Sequence, residues 1–74
     1  MSIRILDCVI LEGDLPEHGL RRGDLGTVVE TYKTGGLEVE FLTATGDTVA
    51  VVTLRESEVR KATPADVVAA RSSA

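Results

Sequence analysis

The chain has 74 residues and a mass of 7.9 kDa, room for one small domain and no more. Its single cysteine excludes an internal disulfide, and a hydrophobic fraction of 43% is too high for a disordered chain. Eight Lys and Arg against twelve Asp and Glu leave a net charge of −4, the wrong sign for binding by neutralising phosphates or anionic lipid.

In chain order, Met1, Ser2, Ile3 and Arg4 lead into a short apolar stretch broken by Asp7. That is not the pattern of a signal peptide, and no apolar run reaches the roughly 20 residues of a membrane span. With one unpaired thiol, the expected location is cytoplasmic. Residues 7–11 read as a first strand, with Cys8 a small buried thiol inside it. Residues 12–24 hold three glycines and Pro16, too many for a helix, and read as a long structured loop. Leu15 and Leu20 within it are expected to fold back over one end of the core.

Residues 26–32 are rich in β-branched side chains and form the second predicted strand. Thr34, Gly35 and Gly36 supply the positive-φ positions of a hairpin turn. Residues 37–41 alternate strictly, so Leu37, Val39 and Phe41 should face the core and Glu38 and Glu40 the water. A turn at Thr45, Gly46 and Asp47 leads into a fourth strand over 48–54. One helical turn follows at 55–58, then a short closing strand at 59–61. Thr63 as N-cap, Pro64 at the first helical position and Asp66 three residues after the cap begin a helix expected to reach about Arg71. The expected architecture is mostly β: a small SH3-like five-stranded barrel over 1–62, with a short C-terminal helix and frayed tail over 63–74.

The stretch Leu15-Pro16-Glu17-His18-Gly19-Leu20-Arg21-Arg22-Gly23-Asp24-Leu25-Gly26-Thr27-Val28-Val29-Glu30 resembles a family of small bacterial proteins known only as a domain of unknown function, number four-nine-two-six. Residues 39–41, 48–54 and 55–59 are similar to it too, so the resemblance covers roughly 7–61. It implies an SH3-like barrel and, from members encoded beside other small proteins, a paired-partner role such as that of an antitoxin or immunity protein. Residues 23–30 are also similar to the KOW motif of ribosomal and transcription-factor barrels. Neither resemblance assigns catalytic residues.

Four features could carry chemistry. His18 with Glu12, Asp14 and Glu17 is a candidate metal or acid–base site, against the reading that these polar groups shape the loop. Cys8 has no base near it in sequence, so a nucleophilic role is disfavoured. Arg21, Arg22 and Lys33 are the candidate nucleic-acid contacts, but only Tyr32 and Phe41 could stack on bases, and Phe41 belongs to the core.

The fourth feature is the outer face of the sheet. Val49, Ala50, Val51 and Val52 are consecutive, so aliphatic side chains must face both ways. Leu54, Val52 and Ala50 are expected inside, leaving Val49 and Val51 outside. Parity counted from a solvated Glu30 puts Val29 inside and Val28 and Tyr32 outside. An outer patch of Val28, Tyr32, Val49 and Val51 is more than a monomer of this size leaves bare. Either Val67 and Val68 of the C-terminal helix cover it, or a second chain does. The reading is a non-enzymatic protein-interaction module without cofactor or metal, dimerising or docking on a partner. A KOW-like RNA-associated barrel and a His18-centred metal-binding protein are the alternatives.

Overall fold

The computed structural model describes residues 3–42 and 48–66, the side chains of Thr48 and Val49 excepted. The predicted turn at 45–47, and the helix beyond Asp66 with Val67 and Val68, lie outside the described residues. Five strands form one antiparallel sheet: β1 (Cys8–Leu11), β2 (Leu25–Thr31), β3 (Gly36–Leu42), β4 (Thr48–Arg55) and β5 (Val59–Lys61). Their order across the sheet is β4-β3-β2-β1-β5. The mostly β fold is as predicted, and so are all five strand positions. Closure is not: no ladder joins β4 to β5 among the described residues, so the sheet is open where a barrel was expected.

Alternation builds the core. Leu37, Val39 and Phe41 of β3 are buried, as are Val52 and Leu54 of β4 and Val9 and Leu11 of β1. Ala50 packs against this cluster from the edge, as parity along β4 predicts. In the loop between β1 and β2, Leu15 and Leu20 exchange backbone hydrogen bonds of 2.9 and 3.1 Å across a single 3-10 turn, Pro16–His18. This clasp delivers Leu20 into the core, 3% exposed, and Leu15 against its rim. The hairpin from β2 to β3 is closed by Tyr32 N–H donating to the Gly36 carbonyl at 2.9 Å. Gly35 takes φ +90°, a conformation that a side chain would strain.

The register of β2 departs from the expected parity. Val28 pairs with Val39 and Glu30 with Glu38, so Val29 is an extra residue, a β-bulge. Before the bulge Gly26 and Val28 face inward; after it the phase is reset. Val28, expected outside, is completely buried, and Val29, expected inside, is exposed. Counting from Glu30 fails because the count crosses the bulge.

Two positions carry steric consequences. A Cβ at Gly26 would stand 2.6 Å from Val39 Cγ1 and 2.9 Å from Phe41 Cε1, so β2 and β3 meet the core there only without a side chain. In the turn at 4–7, Asp7 N–H donates to the Arg4 carbonyl at 3.0 Å and Leu6 takes φ +74°. That left-handed conformation is unfavourable for leucine, and its side chain is 74% exposed, so no burial offsets the strain.

Gly26→Ala is expected to lower stability by about 1–3 kcal/mol through overpacking, read as a lower urea midpoint; an unchanged midpoint contradicts the close approach. Leu6→Gly is expected to raise stability by about 0.5–1 kcal/mol, strain relief exceeding the entropy of the added glycine. A fall in the midpoint of that variant would show that Leu6 is held by contacts rather than strained.

Candidate interaction surface

The strand registers place the outward side chains in rows. Cys8, Thr27, Glu40 and Val51 are paired in sequence across β1, β2, β3 and β4. The next row holds Glu30, Glu38 and Thr53. Tyr32 comes just past the end of β2, with its ring over Gly36, where an added Cβ would lie 3.3 Å from Cδ2. Arg55 pairs with Gly36 on the far side.

The middle row is polar and internally bonded. Glu30 and Glu38 stand opposite one another, an unfavourable pairing of like charges. It is relieved by the Thr53 hydroxyl donating to Glu38 and by Thr31 N–H donating to Glu30 Oε1 at 3.0 Å. Partial burial of the phenol, together with the charges of Glu38 and Glu30, pushes the Tyr32 hydroxyl above its ordinary value.

This arrangement divides the predicted patch. Val51 is outside as expected, 53% exposed, and Tyr32 is outside, 47% exposed. They are separated by the Glu38–Thr53 row and do not form one apolar surface. Val28 lies in the core, and the Val49 side chain falls outside the described residues. Glu40 is the β3 partner of Val51; Leu42, next after it on the outer side of β3 and exposed, pairs with Thr48 across a register shift. A second exposed apolar group comprises Ile5, Leu6 and Val29. It is held together by Leu6 N–H donating to the Val28 carbonyl at 2.7 Å. Neither Leu42 nor this group was found by parity, because β3 was read only to Phe41 and nothing in the composition of 4–7 marks a turn.

On the β1 side, Ile10 is buried although its register partners are Leu25 and Arg60, not core residues. Here the chain after β5 is tied down. Arg60 donates to both oxygens of Asp66, at 2.9 and 3.2 Å. Asp66 Oδ2 accepts Thr63 N–H at 2.8 Å, and Asp66 N–H donates to Thr63 Oγ1 at 3.2 Å, the reciprocal cap predicted from 63–66. The Arg60 and Thr63 donors hold the Asp66 carboxyl far below the usual carboxylate range. The start of the C-terminal segment is therefore anchored at β5, the opposite edge from Val51.

The other candidates are scattered. Arg21 and Arg22 precede β2 and Lys33 follows it; the seven residues of β2 alone span about 20 Å of extended chain, so the three do not make one basic patch. The Arg21 and Arg22 amides donate to Asp24 and Asp14, each at 2.9 Å, which uses those carboxylates to shape the loop. His18 is exposed in its 3-10 turn, and among the described residues no three His, Cys, Asp or Glu converge as a metal site would need. Cys8, expected buried, is exposed, because Val9 and Leu11 take the inward positions of β1. Two clefts, of 720 and 200 Å³, flank the second 3-10 turn, Glu56–Glu58, and share Ser57 and Glu58. Their ionic lining is Glu12, Asp14, Glu56 and Glu58 against Arg55, a surface that repels anions.

Tyr32 is the only tyrosine and there is no tryptophan, so ultraviolet titration reads one phenol. Its midpoint is expected above about 10 and to fall when Glu30 and Glu38 are both replaced by Gln; a parent midpoint at or below the ordinary value contradicts a half-buried, acidic setting for the ring.

No helix among the described residues is long and apolar enough to cross a membrane. Neither the curated proteins nor the solved structures contain a match to this chain. The family model described as Domain of unknown function (DUF4926) matches residues 5–61, from the strained turn through β5. By that match, which takes in the whole sheet, the chain belongs to the DUF4926 family.

Proposed function

We propose that this protein is a non-enzymatic protein-interaction module whose contact surface lies on β3 and β4. The observation that carries the reading is Val51, 53% exposed in the middle of β4, with exposed Leu42 on the adjoining strand. Isolated surface aliphatics are ordinary, but here two lie on neighbouring strands at one end of the outer face, bounded by the polar Glu38–Thr53 row. An apolar centre with a polar border is the composition of a protein contact. The acidic balance of the chain supports a protein ligand over a polyanion.

A photo-reactive residue in place of Leu42, in the full chain in its native host, tests this. Cross-linked polypeptide, whether a second copy or another protein, is expected, with yield falling at least about tenfold when Val51→Lys is added, the loss of a central apolar contact. A yield insensitive to Val51, or no cross-link above an exposed control position such as Arg21, contradicts the surface.

A further inference from the structure

The two edges of the sheet are built differently, and the difference names a partner. An edge strand offers unpaired N–H and C=O groups to any extended chain unless something blunts it. At β5 the edge is blunted by length, charge and local capping. The strand has three residues, two of them Arg60 and Lys61. The Val59 N–H is taken by the Glu56 carbonyl, and Lys61 Nζ lies 3.6 Å from Asp7 Oδ2. At β4 almost none of this is present. The strand runs eight residues, Thr48–Arg55, and carries no charge and no proline before Arg55.

The direction of the β4 backbone groups follows from the ladder. Gly36 accepts from Tyr32, so its polar groups face β2, and the Gly35 carbonyl accepts Glu56 N–H at 3.2 Å on the other side. Alternation then turns Leu37, Val39 and Phe41 toward β4, and their partners Leu54, Val52 and Ala50 back toward β3. The alternate residues, Val51, Thr53 and Arg55, point their N–H and C=O to the free edge. Arg55 N–H is already capped by Glu58 Oε1 at 2.8 Å, as an outward-facing amide would be. Val51 and Thr53 have no such cap among the described residues.

We propose that β4 pairs with β4 of a second copy of this chain, antiparallel, with the two-fold axis at Val52. This rests on the interaction reading above and identifies its partner. In that register Val51 of each copy faces Thr53 of the other, and four hydrogen bonds satisfy all four outward N–H and all four outward C=O groups at those residues. Val52 stands opposite its own copy and Ala50 opposite Leu54, so no like charges meet in the ladder. Glu58, at the edge beside Arg55, would stand about 20 Å from its own copy along the paired strands, and the Glu38 and Glu40 rows, on β3, would be three strand spacings or about 14 Å from theirs, both beyond the roughly 8 Å screening length of physiological salt. A net charge of −4 per chain therefore does not forbid the pairing. Each copy has one open edge and one blunted edge, so assembly closes at two.

Sedimentation equilibrium of the full chain, from micromolar to submillimolar concentration, is the test. The expected result is a species of twice 7.9 kDa. Val51→Pro removes only an outward N–H, which an edge strand tolerates, and Val51→Lys supplies the charge that β5 carries. Both are expected to weaken the dimer at least tenfold with an unchanged far-ultraviolet circular dichroism spectrum. If Val51→Pro fails to fold, Val51→Lys decides. A parent that stays monomeric, a dimer that survives Val51→Lys, or species that keep growing beyond two would each overturn the proposal. A monomeric parent whose Leu42 cross-linker still captures a foreign chain overturns only the second copy and leaves the interaction reading standing.

Discussion

Every backbone N–H and C=O removed from water needs a partner, and a sheet meets that demand everywhere except at its first and last strands. In a chain of 74 residues with five strands in a row, two of the five are edges. Much of the local structure near β5 serves to close one of them. Glu56–Glu58 turns the chain so that its carbonyls meet Val59 and Glu12, while Arg60 and Lys61 are each paired with a carboxylate. The other edge is long, uncharged up to Arg55 and β-branched. The proposed function and partner both follow from that asymmetry.

The bulge at Val29 is the second determinant of the surface. One inserted residue lets Gly26 and Val28 face the core in the first half of β2 while Glu30 in the second half, and Tyr32 just past its end, face outward. In a strand of regular alternation Val28 and Glu30 would share a face, so either Val28 would leave the core or Glu30 would enter it. The acidic band of Glu30 and Glu38 is therefore a consequence of the bulge, and it limits the apolar surface to the β3–β4 end. Gly26 complements this on the inner side, where the absence of a side chain lets Val39 and Phe41 close over the strand.

The fold was legible where the chain repeats a simple period. Strict alternation at 37–41 and the anchoring of Leu54 gave the inward sets of β3 and β4, and Leu15 and Leu20 could be placed because apolar residues in a glycine-rich loop have little else to cover. The burial of Val28 was not legible, since a bulge inside Thr-Val-Val-Glu-Thr leaves composition unchanged while inverting phase. The exposure of Cys8 was available in principle: with Val9 and Leu11 inward, the same alternation puts it outside. Leu6 could not be foreseen, because leucine carries no signal for a left-handed turn. Openness of the sheet depends on curvature, which strand count and order leave undetermined. Of the candidate surface, Val51 and Tyr32 were read correctly as outward, but their separation needed the strand register.

The most direct measurement is residue-resolved amide hydrogen exchange along β4 at two protein concentrations. In dilute solution, Val51 and Thr53 amides should exchange rapidly while Ala50, Val52 and Leu54, bonded to β3, stay protected. At high concentration Val51 and Thr53 should become protected too. Protection of Val51 and Thr53 in the dilute monomer would mean that another part of the chain already occupies the edge, and β4 would then have no free backbone groups to offer a second copy.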